Sequence, residues 1–342
     1  MSTLFIDELS AELNKHSVSS FEDIKTFQDK ITDVFTKENC TSYFKWFKTN
    51  YKKLEYFYNL LQDIQEKQLY IKMIISKLLG PVYTTEQEKE NYISSRTVFD
   101  KLLINNSIKQ LKSATRKLKF YNLSKLGYNM KLYGARALLD KIVINDQYSH
   151  KDCIVEKGDF VIDAGGCWGD TSLIFSAKTG NGGKVFTFEF FKDNLDILKE
   201  NFSYNESLAK NIILTEKPLY DKSNTYLYLS HACADITTLT EVPNNSLKYK
   251  TISIDDFVKN NNIEKVDFIK MDIEGCELKA LYGAKNTLKT YKPKLAIAAY
   301  HKYDDYYEIP KFLNGLNIDY NFYFANYTLG FSDTIIYCKA NL

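Results

Sequence analysis

Asp163 ends an apolar run and directly precedes a glycine turn in VIDAGGCWGDT, Val161 to Thr171. A carboxylate beside Gly165, Gly166 and Gly169 selects among ligands by charge. A dinucleotide lays its pyrophosphate against such a turn and the helix N-terminus that follows, where a fixed negative charge repels it. A cationic ligand without phosphate is attracted instead. Glu189 ends the next apolar run, KVFTFEF, at about the 20-residue spacing at which an acid accepts hydrogen bonds from ribose hydroxyls in nucleotide-binding βαβ units. Further along, Asp272 and Glu274 stand two residues apart in KMDIEG, and a strand that continues through them sends both side chains to one side. His301 follows another apolar run in AYHKYDD, and the near-neutral pKa of imidazole suits it to take a proton.

Together these residues fit S-adenosylmethionine, which carries an ammonium and a sulfonium and no phosphate. Each also has a plain structural use. Asp163 and Glu274 suit helix N-termini, Glu189 a solvated strand end, and His301 a packed or exposed ring. Two carboxylates and a histidine are compatible with a divalent cation, but nothing fixes a full ligand set, so no metal site is assigned.

These residues need a scaffold that brings strand ends together. β-rich runs alternate with helical ones after about Gln147: strands are expected at 160–163, 184–190, 212–217, 225–229, 266–272, 294–300, 321–327 and 334–338, with helices at 193–203 and 277–290. Strand then helix, repeated, predicts a parallel sheet covered on both faces. The last two strands lack an intervening helix and are expected as an antiparallel hairpin. Residues 1–145 read as a helical module. Ser20 and Asp23 form a capping pair that opens a helix with Phe21, Ile24, Phe27, Ile31 and Phe35 at helical intervals, and a longer helical stretch runs from about Ser42 to Gly80-Pro81. Thr84 to Asn91 reads as a linker, and 98–120 as a helix with Leu102, Leu103, Ile108, Leu111 and Leu118 on its apolar face.

The 342 residues allow one large domain or two ordinary ones. A net charge of +2 argues against a nucleic-acid partner, although Lys101 to Leu139 holds only basic charges, among them Lys109, Arg116, Lys117 and Arg136. That stretch is expected as a solvated helix face, as a surface for an anionic acceptor, or as a weak contact with a membrane surface. No apolar run reaches the roughly 18 residues of a membrane helix. The N-terminus, MSTLFIDELSAELNK, does not read as a secretory signal, and the six cysteines show no CxxC pair. Reduced thiols in the cytosol are the expectation.

In order, VIDAGGCWGDTSLIFS, FTFEFFKDNLDILKENFSYN, EKPLYDKSNTYLYLS, ISIDDFV, FIKMDIEGCELKALYGAKNTLKTYKPKLAIAAYHKYDDYYEIPKFL and DTIIYC resemble the blocks of FkbM-type S-adenosylmethionine-dependent methyltransferases. The block around IKMDIEG, with GAK, KPKLAI and YHK after it, carries the resemblance; the glycine turn alone does not. The resemblance spans about residue 147 to the C-terminus. It implies a class I methyltransferase fold over 146–342, a Rossmann-like sheet of seven strands with the last antiparallel, performing O-methyl transfer to sugars of surface glycans or natural products. It also implies cofactor roles: Asp163, Gly165, Gly166, Gly169, Asp170 and Thr171 around the methionine end, Glu189 on ribose, Leu219 and Tyr220 beside adenine. Phe190, Cys167 and Trp168 depart from the family pattern and reshape the pocket.

The acceptor's hydroxyl must lose its proton as the bond forms, and Asp272, Glu274 and His301 are the candidates to take it. Partners expected are a small-molecule or glycan acceptor, nucleotide- or lipid-linked if anionic, and a second copy of the chain through the helical module. Two other readings remain open at this point: a non-catalytic cofactor-binding or scaffold protein, and a nicotinamide-dependent oxidoreductase.

Overall fold

The computed structural model describes residues 3–80, 97–110, 117–233, 236–328, 330 and 332–341. The chain forms two compact units, Met1–Tyr92 with Ala299–Asn341, and Ile93–Ala298. The linker expected at 84–91 lies outside the described residues.

In the first unit, helices α1 (Leu4–Asn14), α2 (Phe21–Asp29), α3 (Val34–Leu60) and α4 (Ile64–Leu79) account for the N-terminal segment. Each begins where a side-chain oxygen satisfies an otherwise orphaned amide. The Ser20 hydroxyl accepts from the Asp23 N–H at 3.2 Å, as the capping pair predicts, and the Asp23 carboxylate accepts from the Ser19 N–H, one residue before the cap, at 2.9 Å. The single stretch expected from Ser42 to Gly80 is instead two helices. Asp63 accepts from the Gln65 N–H at 2.7 Å and so opens α4, while Leu61 adopts an extended conformation between the two. Gly80, at φ +84°, ends α4.

The second unit opens with three strands, β1 (Leu103–Gln110), β2 (Lys117–Asn122) and β3 (Lys131–Gly134), antiparallel in that order. The helix expected over 98–120 is therefore corrected. Leu118 is buried between exposed Lys117 and Lys119, which is strand alternation, and Ile108, assigned to the helical apolar face, is 56% exposed. Asn105 and Asn106 are weak helix formers. The outer edge of β3 is closed by side chains: Asn201 and Asn205 accept from the N–H groups of Tyr133 and Lys131 at 2.7 and 2.9 Å and donate back to the same residues' carbonyls.

Next comes the alternation that the sequence predicts: β4 (Phe160–Ala164), α5 (Asp170–Thr179), β5 (Lys184–Phe188), α6 (Lys192–Ser203) and β6 (Ile212–Thr215). The strand expected at 225–229 is β7 (Tyr226–Cys233). It does not join that sheet but pairs antiparallel with β8 (Ile236–Thr240) and β9 (Lys248–Lys250) in a small sheet of order β8-β7-β9. After α7 (Ile254–Asn260) and β10 (Phe268–Met271), the helix expected at 277–290 is split into α8 (Glu277–Tyr282) and α9 (Lys285–Tyr291). Asp255 explains the split, because its carboxylate accepts from the Asn286 and Thr287 N–H groups at 2.9 and 2.8 Å and starts a new helix there. With β11 (Lys294–Ala298), the parallel strands run β11-β10-β4-β5-β6.

The chain then supplies the rest of the first unit: α10 (Asp305–Asn314) and the antiparallel hairpin β12 (Tyr320–Asn326) and β13 (Thr334–Ala340). Five parallel strands and this hairpin make up the strand complement of the expected α/β class. Leu61 bridges Phe322 of β12, and the buried Glu66 carboxylate accepts from the Phe324 N–H at 3.1 Å. The core there is aromatic: Tyr70, Tyr306 and Phe324 meet pairwise at 5.3 to 5.5 Å between ring centroids. Among the described residues no helix is long and apolar enough to cross a membrane.

Candidate functional site

A cavity opens at the carboxyl ends of β4, β5 and β10, where ligands sit in open parallel sheets. Counted with the open solvent at its mouth, its empty space is about 580 Å³. Glu189, Asp272 and Glu274 bring three carboxylates to its wall, against one cation, Lys217. Phe188, Phe190, Leu219 and Leu239 supply the apolar part.

Backbone geometry makes the floor. Gly165 has φ +85°, and a Cβ there would lie 2.0 Å from the Asp272 carbonyl oxygen, so the ends of β4 and β10 approach this closely only with glycine between them. Cys167 and Glu274, which also line the cavity, sit in the left-handed region at φ +44° and +54°. Non-glycine residues held there are strained and concentrate at functional sites.

Glu189 is 7% exposed and has one carboxylate oxygen fixed by the N–H groups of Phe190 and Phe191, at 2.7 and 2.8 Å. Burial pushes its carboxyl above the usual range, and the hydrogen bonds oppose that. Asn194 donates toward its other oxygen at 3.5 Å and accepts from the Trp168 indole N–H at 3.1 Å. Asn201 in turn donates to the Trp168 carbonyl at 2.8 Å and to that of Tyr133 at 2.9 Å. The first antiparallel sheet thus braces the glycine turn, and Leu118 of β2 packs on Trp168 with Ile197.

Asp163 is placed otherwise than an acid at a pocket lip. It is fully buried and absent from the cavity wall. Its carboxylate faces Lys270 Nζ at 3.1 Å and accepts from the hydroxyls of Thr171 and Ser172 at 2.7 and 2.6 Å. Lys270 also donates to the carbonyls of Ala164 and Gly165, at 3.1 and 2.6 Å. Burial works against the Lys270 charge, but Asp163, Asp272 and Asp170 outweigh it and hold the ammonium above its ordinary pKa. The pair ties β4, β10 and the start of α5 into one charged layer beneath the cavity. Asp170 belongs to that layer, and burial raises its carboxyl to about 6.

Of the residues expected at the cofactor, Gly165, Glu189 and Leu219 line the cavity. Gly166, Gly169, Asp170 and Thr171 shape the turn from behind, and Tyr220 turns its hydroxyl to Glu241. Of the proton-accepting candidates, Asp272 and Glu274 share the wall, and Asp272 accepts from the Tyr148 hydroxyl at 3.0 Å. His301 belongs to the first unit, in a cavity with Tyr43, Trp46 and Lys77. Sequence reasoning missed Lys270, Asn194, Tyr148 and the β8 residues Thr237 and Leu239. Lys270 alone left a signal, as a cation inside an otherwise apolar strand.

A family model, the methyltransferase FkbM domain, matches residues 152–322, half of the chain. A hexuronic acid methyltransferase of Haloferax volcanii, AglP, is 30% identical over 135 residues, which cover 40% of this chain and 54% of that protein. The matched stretch therefore spans about half the length of that relative. Among solved structures, the methyltransferase FkbM of Methylobacillus flagellatus KT is similar, with a TM-score of 0.52 at 18% identity, over 85% of this chain and 59% of that one. This likeness extends to the fold, the class I methyltransferase arrangement that the sequence predicts.

Proposed function

Because the chain belongs to the FkbM methyltransferase family, we propose that it is an S-adenosylmethionine-dependent O-methyltransferase acting on a hydroxyl of a sugar or glycan precursor. The observation that carries this reading is the charge of the second unit's cavity: three carboxylates and one lysine line it. That wall suits a ligand bearing an ammonium and a sulfonium and disfavours a pyrophosphate. The hexuronic acid named for the Haloferax volcanii relative supports a sugar acceptor.

In this reading Glu189 holds the ribose hydroxyls, its carboxylate set in place by two backbone amides. Phe190, Leu219 and Leu239 provide an apolar wall for the adenine. S-adenosylmethionine supplies an electrophilic methyl group on sulfur, open to direct displacement by the acceptor oxygen. The protein's share is alignment and proton removal. Asp272 is favoured as the base, since it lines the cavity and Tyr148 orients it; Glu274 and His301 are the other candidates. Methyl transfer is assigned to residues 146–342 and acceptor recognition to the segment before them. A cytosolic location belongs to this reading and rests on the sequence, whose six cysteines are scattered without a CxxC pair.

Calorimetry against S-adenosylmethionine and NAD tests the cofactor. Mass spectrometry after incubation with hexuronic acids and nucleotide sugars tests the acceptor. Saturable binding of the former cofactor and a methyl-sized mass gain on a sugar are expected. Binding of NAD alone would overturn the assignment. Asp272→Asn is expected to cut turnover roughly 100-fold or more while leaving cofactor affinity within a few-fold.

A further inference from the structure

The first unit has a cavity of its own, and its chemistry differs from that of the acid-lined one. Tyr43 and Trp46 reach it from α3, Lys77 from α4, and Tyr303 and Lys302 from the segment before α10. It holds about 740 Å³, within the ~300–1,000 Å³ of an ordinary small-molecule site, so a sugar fits. Trp46 stacks on Tyr43 with ring centroids 5.6 Å apart and an interplanar angle of 25°. Tyr303 lies 6.5 Å from Trp46 and is 38% exposed. Partly exposed flat rings of this kind present an apolar face with polar atoms at the margin, the surface on which the C–H face of a sugar packs.

Lys77 is the second observation. Its residue is 4% exposed, yet its ammonium makes no hydrogen bond or ion pair with any described residue. It is held by rings, 3.8 Å from the centroid of Tyr306 and 5.7 Å from that of Tyr43. Burial pulls its pKa down to about 8, with the neighbouring Asp305 opposing, so the group stays largely protonated near neutrality. The Asp305 carboxylate accepts instead from the Lys302 N–H, at 2.7 Å. The buried Tyr43 hydroxyl likewise has no hydrogen-bond partner among the described residues. An ammonium carries three donors, and with no protein partner among the described residues those of Lys77 are left to the cavity it lines. Lys302 adds a second cation to the lining and Asp304 one acid. The features left over are a cation, a phenol and an aromatic wall.

We propose that this cavity binds an anionic saccharide, with a sugar ring against Trp46 and Tyr303 and a carboxylate or phosphate on Lys77. The proposal rests on the sugar-methyltransferase reading and adds to it the charge of the acceptor. A neutral sugar leaves the Lys77 donors unspent, whereas an anionic one takes them up.

The chain has two tryptophans, Trp46 at this cavity and Trp168 fully buried in the second unit. Fluorescence titration of the full chain, with Trp46→Phe as the control, therefore reports on the cavity. Glucuronic acid, glucose 1-phosphate, glucose and inorganic phosphate are the probes. Saturable quenching is expected with either anionic sugar, roughly tenfold or more tighter than with glucose, and Lys77→Met is expected to erase that difference. The better of the two anionic sugars identifies the group as carboxylate or phosphate. Equal affinity for glucose and glucuronic acid, equal affinity of Lys77→Met and wild type for both anionic sugars, or no saturation by any sugar overturns the proposal. So does inorganic phosphate binding as tightly as the sugar phosphate, because the rings then contribute nothing. Calorimetry with S-adenosylmethionine on the same preparations separates the two readings: its failure sinks the methyltransferase reading, whereas normal cofactor binding beside any of these outcomes sinks only the saccharide site.

Discussion

The two units each bury a lysine, and they hold it in opposite ways. Lys270, 2% exposed, meets a carboxylate at 3.1 Å and two backbone carbonyls. Lys77, 4% exposed, lies over rings with Asp305 as its charged neighbour, and makes no hydrogen bond or ion pair among the described residues. A cation whose partners are all internal is part of the framework, and its charge is spent on holding strands together. One with donors unspent is a framework waiting for a ligand. The difference separates structural charge from binding charge by a simple criterion, namely where the donors go.

The sharpest way to break the comparison is to remove both charges by the same substitution. Lys270→Met leaves Asp163 buried and unpaired, and is expected to destabilise the protein by about 3–5 kcal/mol, measured by denaturant unfolding. Lys77→Met removes an ammonium that burial disfavours and that makes no hydrogen bond or ion pair among the described residues, so stability is expected to hold within about 1 kcal/mol or rise. Equal losses in the two variants would dissolve the distinction.

A smaller effect sharpens the reading of the acid-lined cavity. Glu189→Gln keeps the side-chain shape but removes the charge, and is expected to weaken S-adenosylmethionine about 100-fold, on the order of 2–3 kcal/mol, by calorimetry. Undiminished affinity would move the ribose contact elsewhere. Smaller still is the pH signature of the charged layer. Asp170 has its folded pKa raised to about 6 from 3.8, so between about pH 4 and 6 the folded state binds more protons than the unfolded one. Its contribution to stability therefore falls as pH rises through that window. Asp170→Asn removes the effect, and the melting temperature of the variant relative to wild type is expected to climb from pH 4 to pH 7. A flat difference would mean that Lys270 already neutralises the carboxylate.

The glycine turn, the alternation of strands and helices and the C-terminal hairpin were legible because each is written in a short stretch: apolar runs, glycines, then periodic helices. Glu189 and Asp272 were legible as strand-end acids for the same reason and reach the cavity wall; Glu274 reaches it from a left-handed turn and not by strand alternation, because β10 ends at Met271. What the chain hides is pairing at a distance. Asp163 stands out in VIDAGG, but the cation that spends its charge lies far along the chain in β10, and only the register of β4 against β10, Asp163 beside Lys270, brings them together. The 98–120 region was misread because its scattered leucines and isoleucines satisfy a helical count loosely, whereas strand pairing and the burial of Leu118 against Trp168 decide the matter.

The carboxamides that close the edge of β3 have a consequence for the order of folding. Residues 131 and 133 obtain hydrogen bonds from positions 74 and 68 residues later, Asn205 and Asn201. That edge cannot be completed until α6 exists and is docked. Contacts over such separations form late, after the loop-closure entropy has been met. On a ribosome the three-stranded sheet emerges first and waits with an open edge, the kind of surface that recruits stray strands. A truncation ending before Asn201 is therefore expected to aggregate through residues 103–134, and one extending past Asn205 to be protected.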